Sequence, residues 1–277
     1  MIQCQALDRT VRPGTIVRRK VMLLFGSDIF RCVFRLLWPD ACAGCGCGDD
    51  VREGFCVSCI RELLSLAAMN YCPRCGATVG PGLRADEDGC HACPPVMPRF
   101  KQLVRISPYA AALRRAIISM KYRRRSNTAV HVGKLLAEAV SARCDVASID
   151  VALAVPMHWL RRLRRGWNHS TVLAEGVADR LGLPVGDELI RIRNTLPQVR
   201  LPASRRRANV SGAFAVTRPK NLQGAHVLLI DDVLTTGATA NEASRTLLAA
   251  GAERVTVAVL AKSEPPTAYA QQINGGQ

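Results

Sequence analysis

The sequence lacks any apolar run of the roughly 20 residues that a helix needs to cross a bilayer. A basic and apolar stretch at 18–25 breaks at 26–28, and no small-residue cleavage site follows, which argues against a secretory signal peptide. We therefore expect a cytoplasmic protein that does not span a membrane. Apolar residues at helical spacing in 28–37 predict a short helix that packs beside the cysteine-rich segment 42–93. The alternative is a helix that lies on a membrane surface.

Acidic residues are scarce, with 22 Asp and Glu against 38 Lys and Arg, so the formal net charge is +16. This excess favours polyanionic partners: nucleic acid, anionic lipid or a phosphorylated substrate. Residues 99–125 contain nine Lys and Arg and no acid. Two further clusters consist of Arg161, Arg162, Arg164 and Arg165, and of Arg205, Arg206 and Arg207. Each cluster is either solvated surface or a contact with nucleic acid.

A Walker P-loop is also missing, because no lysine follows Gly237. Instead, the apolar run 227–230 leads into the adjacent carboxylates Asp231 and Asp232, a small-residue loop and a helical run at 240–250. The loop consists of Thr235, Thr236, Gly237, Ala238 and Thr239. A helix N-terminus presents N–H groups and a positive dipole end to phosphate, and paired carboxylates suit the hydroxyls of a ribose. The motif therefore predicts a site for a phosphorylated sugar; the alternative is a strand, loop and helix with chance acidic residues.

Apolar runs at 151–155, 227–230 and 255–260 alternate with helical patterns, which predicts an α/β fold with a parallel sheet and helices on both faces. The first run ends at Pro156, Met157 and His158, and a loop at a strand end is expected to face the ligand. Arg165 is the nearest cation for an anionic group there. The prolines and arginines of the connection 195–212 suit a lid that closes over anions.

Eight of the twelve cysteines fall in four Cys-x-x-Cys pairs, a spacing typical of zinc knuckles rather than of a secreted disulfide scaffold. Four pairs combine into two sites in three ways. The chain contains twice a Cys-x-x-Cys pair followed by glycine and then a pair without glycine. This repeat favours sequential pairing. The first site then contains Cys42, Cys45, Cys56 and Cys59, and the second contains Cys72, Cys75, Cys90 and Cys93. Four cysteines leave no open position, so both zinc ions are expected to be structural. Cys47 could replace Cys45 as a ligand, and His91 could replace one of the cysteines, but the simpler interpretation of each is a residue that binds no metal.

The acidic pair and its loop resemble the 5-phosphoribosyl diphosphate (PRPP) site of type I phosphoribosyltransferases. The chain as a whole resembles the ComF-type (ComFC-like) competence proteins. Beyond the PRPP motif, this resemblance rests on Leu113-Arg114 with Lys121-Tyr122, Val155-Pro156, Arg165-Gly166-Trp167-Asn168, Thr195 with Pro197-Gln198, Arg207, Asn209, Gly212 and Phe214. At His169 the family usually has Gln.

The resemblance implies a zinc module fused to a phosphoribosyltransferase domain. It further implies binding of PRPP with Mg²⁺, in which Asp231 and Asp232 contact the ribose hydroxyls directly or through the metal ion. The resemblance also implies binding of single-stranded DNA, in DNA uptake during natural transformation alongside other competence proteins. An active phosphoribosyltransferase with an unidentified acceptor is the alternative, and an interaction scaffold is a third. The expected divisions are an extension at 1–41, a double zinc ribbon at 42–93, the phosphoribosyltransferase-like domain at 94–265 and a polar tail at 266–277.

Overall fold

The computed structural model describes residues 41–122, 126–158, 168–196, 201–265 and 267–268. The helix predicted at 28–37 lies outside these ranges. Ala41–Gln277 forms one compact unit. Within the described ranges, each helix is too short or too polar to cross a membrane.

The strands are β1 (Val51–Arg52), β2 (Phe55–Cys56), β3 (Gln102–Pro108), β4 (Val151–Ala154), β5 (Val185–Gly186), β6 (Leu189–Arg191), β7 (Phe214–Val216), β8 (His226–Leu234) and β9 (Arg254–Lys262). The α-helices are α1 (Val57–Ala67), α2 (Ala111–Tyr122), α3 (Ser126–Ser141), α4 (His169–Leu181), α5 (Ala203–Val210) and α6 (Ala238–Ala249). Short 3₁₀ turns occur at Val146–Ser148 and Pro219–Leu222.

Five strands form the central sheet in the order β3-β9-β8-β4-β5, and every neighbouring pair is parallel. The predicted α/β class with a parallel sheet and flanking helices is therefore confirmed. Strands β6 and β7 form a separate antiparallel pair, with α5 between them in the chain. This pair and α5 make up the segment between β5 and β8, which contains the predicted lid.

The sheet is covered on both faces, and this explains why its central strands are continuously apolar. In β8, Leu228 and Ile230 join a buried cluster with residues of α2, α3 and α4. Val227 and Leu229 point to the opposite face and join a second cluster with residues of α6. Successive side chains of a strand alternate between faces, so one apolar run contributes to both cores.

Strand β8 extends beyond its apolar run. The acidic pair was predicted to follow a strand ending at Ile230, but β8 continues to Leu234. The reason is pairing with β9, which runs from His226 opposite Arg254 to Leu234 opposite Lys262. The backbone of the two aspartates is therefore held in a sheet rather than in a loop.

The first cysteine unit shares the core of the sheet domain. Cys42, Phe55 and Leu63 are almost completely buried, in the same cluster as Leu113 of α2 and Val132 of α3. Helix α1 starts directly after Cys56, so it contains Cys59 and ends before the second cysteine unit.

Candidate phosphosugar site and cysteine clusters

The candidate site lies at the carboxyl edge of the sheet between β8 and β4. From β4 the chain passes to β5 on one side, whereas from β8 it passes to β9 on the other. Ligands of open α/β sheets bind at such a switch point. The strand ends are in register there, with Ala154 opposite Ile230, and the Val155 N–H donates to the Ile230 carbonyl at 2.8 Å.

The loop predicted to bind phosphate, residues 235–239 and called the phosphate loop below, joins β8 to α6. Gly237 has φ of 77°, a left-handed conformation that glycine adopts without steric cost, and it stands at the N-cap of α6. The first N–H groups of a helix have no acceptor within it. A small cleft is lined by Asp231, Val233, Leu234, Thr235, Gly237, Ala238, Thr239 and Ala240. Of the five predicted loop residues, all but Thr236 thus line one concave surface at a helix N-terminus.

Residues at the end of β9 hold the phosphate loop in place. The Lys262 ammonium donates to the Thr235 carbonyl at 2.6 Å and to the Ser263 carbonyl at 3.2 Å. The Ser263 N–H donates to the Leu234 carbonyl at 2.8 Å. Burial lowers the pKa of Lys262. The beginning of the loop is therefore fixed by two consecutive residues of the adjacent strand.

The two aspartates have different surroundings. Asp231 accepts hydrogen bonds at Oδ1 from the Ser170 hydroxyl at 3.3 Å and from the Asp232 N–H at 2.9 Å. Burial of its carboxyl, and then the neighbouring charge of Asp232, raise the pKa of Asp231 to about 7. Asp232 instead forms an ion pair with Lys121, whose Nζ lies 2.8 Å from Oδ2. Burial opposes the charge of Lys121, but the facing carboxylates outweigh it and raise the pKa of the lysine.

The second predicted strand end lies on the same edge. Pro156 and Met157 are half-buried and His158 is buried, directly after β4. The structure therefore brings these three residues to the strand adjacent to the acidic pair. Arg165 lies outside the described residues, as do Arg161, Arg162 and Arg164.

The segment predicted as a lid is held together by an internal contact and is tied to α6 at Gly212. The Asn209 side chain accepts from the Leu196 N–H at 3.1 Å and donates to the Leu196 carbonyl at 3.0 Å. The Gly212 N–H donates to Glu242 of α6 at 2.7 Å. The third basic cluster lies on α5, where Arg205 and Arg207 are exposed and Arg206 donates to the Leu201 carbonyl at 3.1 Å.

The first cysteine cluster contains five thiols. Those within 4.8 Å of one another belong to Cys42, Cys45, Cys47 and Cys56, so the group includes the alternative ligand Cys47. The predicted ligand Cys59 is almost fully buried, but it does not belong to this group of four. Its sulfur also accepts from the Arg115 guanidinium of α2 at 3.6 Å.

Backbone donors in the first cluster stabilise thiolates. The Cys42 sulfur accepts from the N–H groups of Gly44 at 3.3 Å and Cys56 at 3.2 Å. Burial opposes ionisation of Cys42, but these N–H groups outweigh it and lower the pKa of the thiol. Contacts with the Ser58 hydroxyl and the Cys59 N–H lower the pKa of Cys56 to about 5. Thiolates are the form in which cysteine binds metals.

The second cluster contains the four predicted cysteines, Cys72, Cys75, Cys90 and Cys93. It packs closely against β3: Gly76 has φ of 75°, and a Cβ there would lie 2.3 Å from a methyl group of Leu103. Two thiol pairs are 3.6 and 3.7 Å apart. A tetrahedral zinc with bonds of about 2.3 Å sets its sulfurs about 3.8 Å apart. Both clusters can therefore hold a metal ion, and zinc suits the all-sulfur ligand set.

Three contacts at the site were not anticipated from the sequence: those of Lys121, Ser170 and Lys262. Lys121 belongs to a motif that carried the family resemblance, and Ser170 is at the start of α4. Neither the spacing nor the composition of the chain places Lys121 and Ser170 against the acidic pair, because their contacts depend on how α2 and α4 pack on the sheet. The contact of Lys262 with Thr235 depends in the same way on the pairing of β9 with β8.

The chain is similar in sequence to several known proteins. The phosphoribosyl transferase domain family matches residues 167–271. DNA utilization protein YhgH of Salmonella typhi is 33% identical over 215 residues, covering 76% of this chain and 91% of that protein. Competence protein F of Haemophilus influenzae is 30% identical over 217 residues, covering 76% of this chain and 92% of that protein. Among solved structures, glutamine PRPP amidotransferase from B. subtilis is similar with a TM-score of 0.33 and 22% identity, over 47% of this chain and 25% of that chain. These two relatives are 33% and 30% identical to the chain and are matched over about nine tenths of their own length. The chain therefore belongs to the ComF/YhgH family of competence and DNA utilization proteins, which carries a phosphoribosyltransferase domain.

Proposed function

We propose that the protein binds PRPP, or a related phosphoribosyl ligand, at the carboxyl edge of its sheet. The observation that carries this proposal is the acidic pair near the carboxyl end of β8, two residues before the loop that leads into α6. In this assignment the loop binds the 5′-phosphate, and Asp231 and Asp232 accept hydrogen bonds from the ribose hydroxyls. The diphosphate faces 156–158 and Arg165. Mg²⁺ accompanies the ligand on its diphosphate oxygens.

Calorimetric titration of PRPP tests this assignment. Asp231→Asn combined with Asp232→Asn keeps the shape of the site but removes its acceptor charge. We expect the affinity to fall at least tenfold, or about 1.4 kcal/mol. The matched control replaces Glu175 and Asp179, two exposed acids of α4, by Gln and Asn. Equal PRPP affinity in the acidic-pair variant and the control would show that the pair has a structural role only.

We further propose that each cysteine cluster binds one structural zinc ion. The thiol separations and the backbone N–H donors to sulfur support this assignment. Metal analysis should give two zinc ions per chain, falling to one when Cys72 and Cys75 are both changed to Ser. Changing Cys47 and Cys59 singly identifies the fourth ligand of the first cluster, because only the true ligand's loss should weaken zinc binding. A zinc content near zero in the unmodified protein refutes the proposal.

The second proposed activity is binding of single-stranded DNA, in a role in DNA uptake with other competence proteins. The net charge of +16, the exposed Arg205 and Arg207 and the names of the relatives support it. Contacts between basic side chains and phosphates release counterions, so log affinity should fall against log salt by about 0.7 per contact.

Fluorescence anisotropy of a labelled oligonucleotide across a salt series measures that slope. Changing Arg161, Arg162 and Arg164 to Ala should flatten it by about two if all three contact phosphates. The control removes the same charge outside the clusters, through the exposed Arg52, Arg180 and Arg218. If the salt dependence of DNA affinity has the same slope in the cluster variant and in the control, Arg161, Arg162 and Arg164 are solvated surface residues that do not contact DNA.

Turnover is the alternative use of the same site. Transfer of the phosphoribosyl group to an acceptor releases diphosphate, and departure of that group requires neutralisation of charge rather than a nucleophilic side chain. Diphosphate release from PRPP that depends on an added acceptor would establish an active phosphoribosyltransferase.

A further inference from the structure

The cation facing the acidic pair belongs to the protein itself. Lys121 is in the last turn of α2, and its ammonium lies 2.8 Å from Oδ2 of Asp232. The two side chains are 24% and 18% exposed, so the ion pair is largely shielded from solvent. Leu113, Ile117 and Met120 of the same helix are fully buried. This burial fixes the rotation of α2 and thereby aims Lys121 at the end of β8.

The occupied oxygens leave a poor site for a divalent cation. Mg²⁺ requires near-octahedral oxygen ligands and is usually held by one or two carboxylates with waters. Here the Lys121 ammonium occupies one oxygen of Asp232 and repels a second cation at that carboxylate. Oδ1 of Asp231 already accepts from Ser170 and from the Asp232 N–H. Burial and the charge of Asp232 raise the pKa of Asp231 to about 7, which further reduces the negative charge offered to a metal.

The same arrangement suits a neutral diol. Each carboxylate has a second oxygen that can accept a hydrogen bond from a hydroxyl. The two aspartates are adjacent residues, and vicinal hydroxyls of a ribose present two donors side by side. A diol needs acceptors but no additional positive charge, and the lysine already balances the charge of Asp232.

We propose that Lys121 is the resident cation of the ribose subsite, so that the acidic pair contacts the ribose hydroxyls directly and without a bridging divalent metal. This inference rests on the proposed function. Mg²⁺ then enters only with the diphosphate, and Lys121 acts as a positioning residue that orients Asp232.

Binding of Mn²⁺ to the zinc-loaded protein, measured by electron paramagnetic resonance without any sugar, tests the role of Lys121 directly. The unmodified protein and Lys121→Arg should show no Mn²⁺ site that depends on Asp232. Lys121→Met should gain one site, and adding Asp232→Asn should remove it. Lys134→Met, an exposed lysine of α3, is the control and should behave like the unmodified protein. A Mn²⁺ site in the unmodified protein that Asp232→Asn abolishes, or no gained site in Lys121→Met, overturns the inference.

Ribose 5-phosphate gives the second readout, because it lacks the diphosphate that would carry its own Mg²⁺. Its affinity for the zinc-loaded, unmodified protein should be the same in Mg²⁺ and in buffer from which Mg²⁺ is omitted. In Lys121→Met, omission of Mg²⁺ should weaken binding about tenfold, and Lys121→Arg should restore metal independence. Failure of the unmodified protein to bind ribose 5-phosphate would count against the proposed function, whereas the Mn²⁺ measurement still decides the role of Lys121.

Discussion

The buried ion pair between Arg105 and Glu264 offers the sharpest test of how the second cysteine unit is attached to the sheet. The two side chains are 1% and 5% exposed, with Nη1 of Arg105 2.5 Å from Oε1 of Glu264. Both Glu264 oxygens also accept from the Thr78 N–H, at 3.0 and 3.2 Å, and Arg105 donates to the Thr78 hydroxyl at 2.7 Å. Thr78 follows the Cys75 knuckle, so three distant parts of the chain meet here.

Replacing Glu264 by Gln removes the negative charge and leaves the Arg105 guanidinium buried without its counter-ion. Breaking a buried pair by removing one partner costs about 3–5 kcal/mol. Gln keeps an oxygen that can accept from the Thr78 N–H, so we expect the lower end, about 3 kcal/mol. At roughly 2–4 °C per kcal/mol, the midpoint of thermal unfolding should fall by about 6–12 °C.

The matched control is Glu138→Gln on α3. Glu138 pairs with Arg180 at 2.7 Å, but the two side chains are 60% and 59% exposed. Exposed pairs contribute about 0–1 kcal/mol because water screens them. Urea denaturation of both variants and calorimetric thermal scans provide the measurement.

A double variant separates the charge from the packing. Arg105→Met with Glu264→Met replaces the pair by apolar side chains, and such replacements are often neutral or stabilising. We expect this variant to recover much of the stability lost in Glu264→Gln. The reasoning is refuted if Glu264→Gln loses no more than Glu138→Gln, because the pair would then behave as a surface contact.

Four other predictions follow from individual contacts. Cys90→Ser should reduce the zinc content from two ions to one by metal analysis, with retention of two ions contradicting its role as a ligand. Because the pKa of Asp231 is raised to about 7, the folded state retains a proton that the unfolded chain releases, and the free energy of unfolding should fall from about pH 4 to pH 7, by at most about 1.4 kcal/mol per pH unit. Asp231→Asn should abolish this component in urea titrations at pH 5 and 7.5, and an unchanged slope would refute it. Lys262→Met removes the donor to the Thr235 carbonyl and should weaken PRPP binding several-fold by calorimetry, whereas full affinity would show that the loop holds its shape unaided. Gly237→Ala forces a Cβ into a left-handed conformation and should destabilise the protein by about 1–2 kcal/mol in urea denaturation, so an equally stable variant would exclude strain at this turn.

The sequence by itself determined the fold class, because the apolar runs of β4, β8 and β9 can be satisfied only in a sheet covered on both faces. It also indicated where the site lies, since Asp231 and the loop that follows it are contiguous in the chain. The two cysteine clusters could be predicted for the same reason, because each is built from residues close together in the sequence.

Only the tertiary structure decided which distant side chains act on these local motifs. The extension of β8 through the acidic pair depends on pairing with β9, which no apolar pattern in β8 reveals. Cys47 joins the first cluster because the turn after Cys45 folds it back, which the Cys-x-x-Cys spacing does not encode. Lys121 reaches Asp232, and Lys262 reaches Thr235, through the packing of α2 and β9 beside β8. Local sequence specifies short-range geometry and burial, whereas charge balance at the site arises from side chains more than a hundred residues apart, and their meeting is fixed only when the helices pack on the sheet.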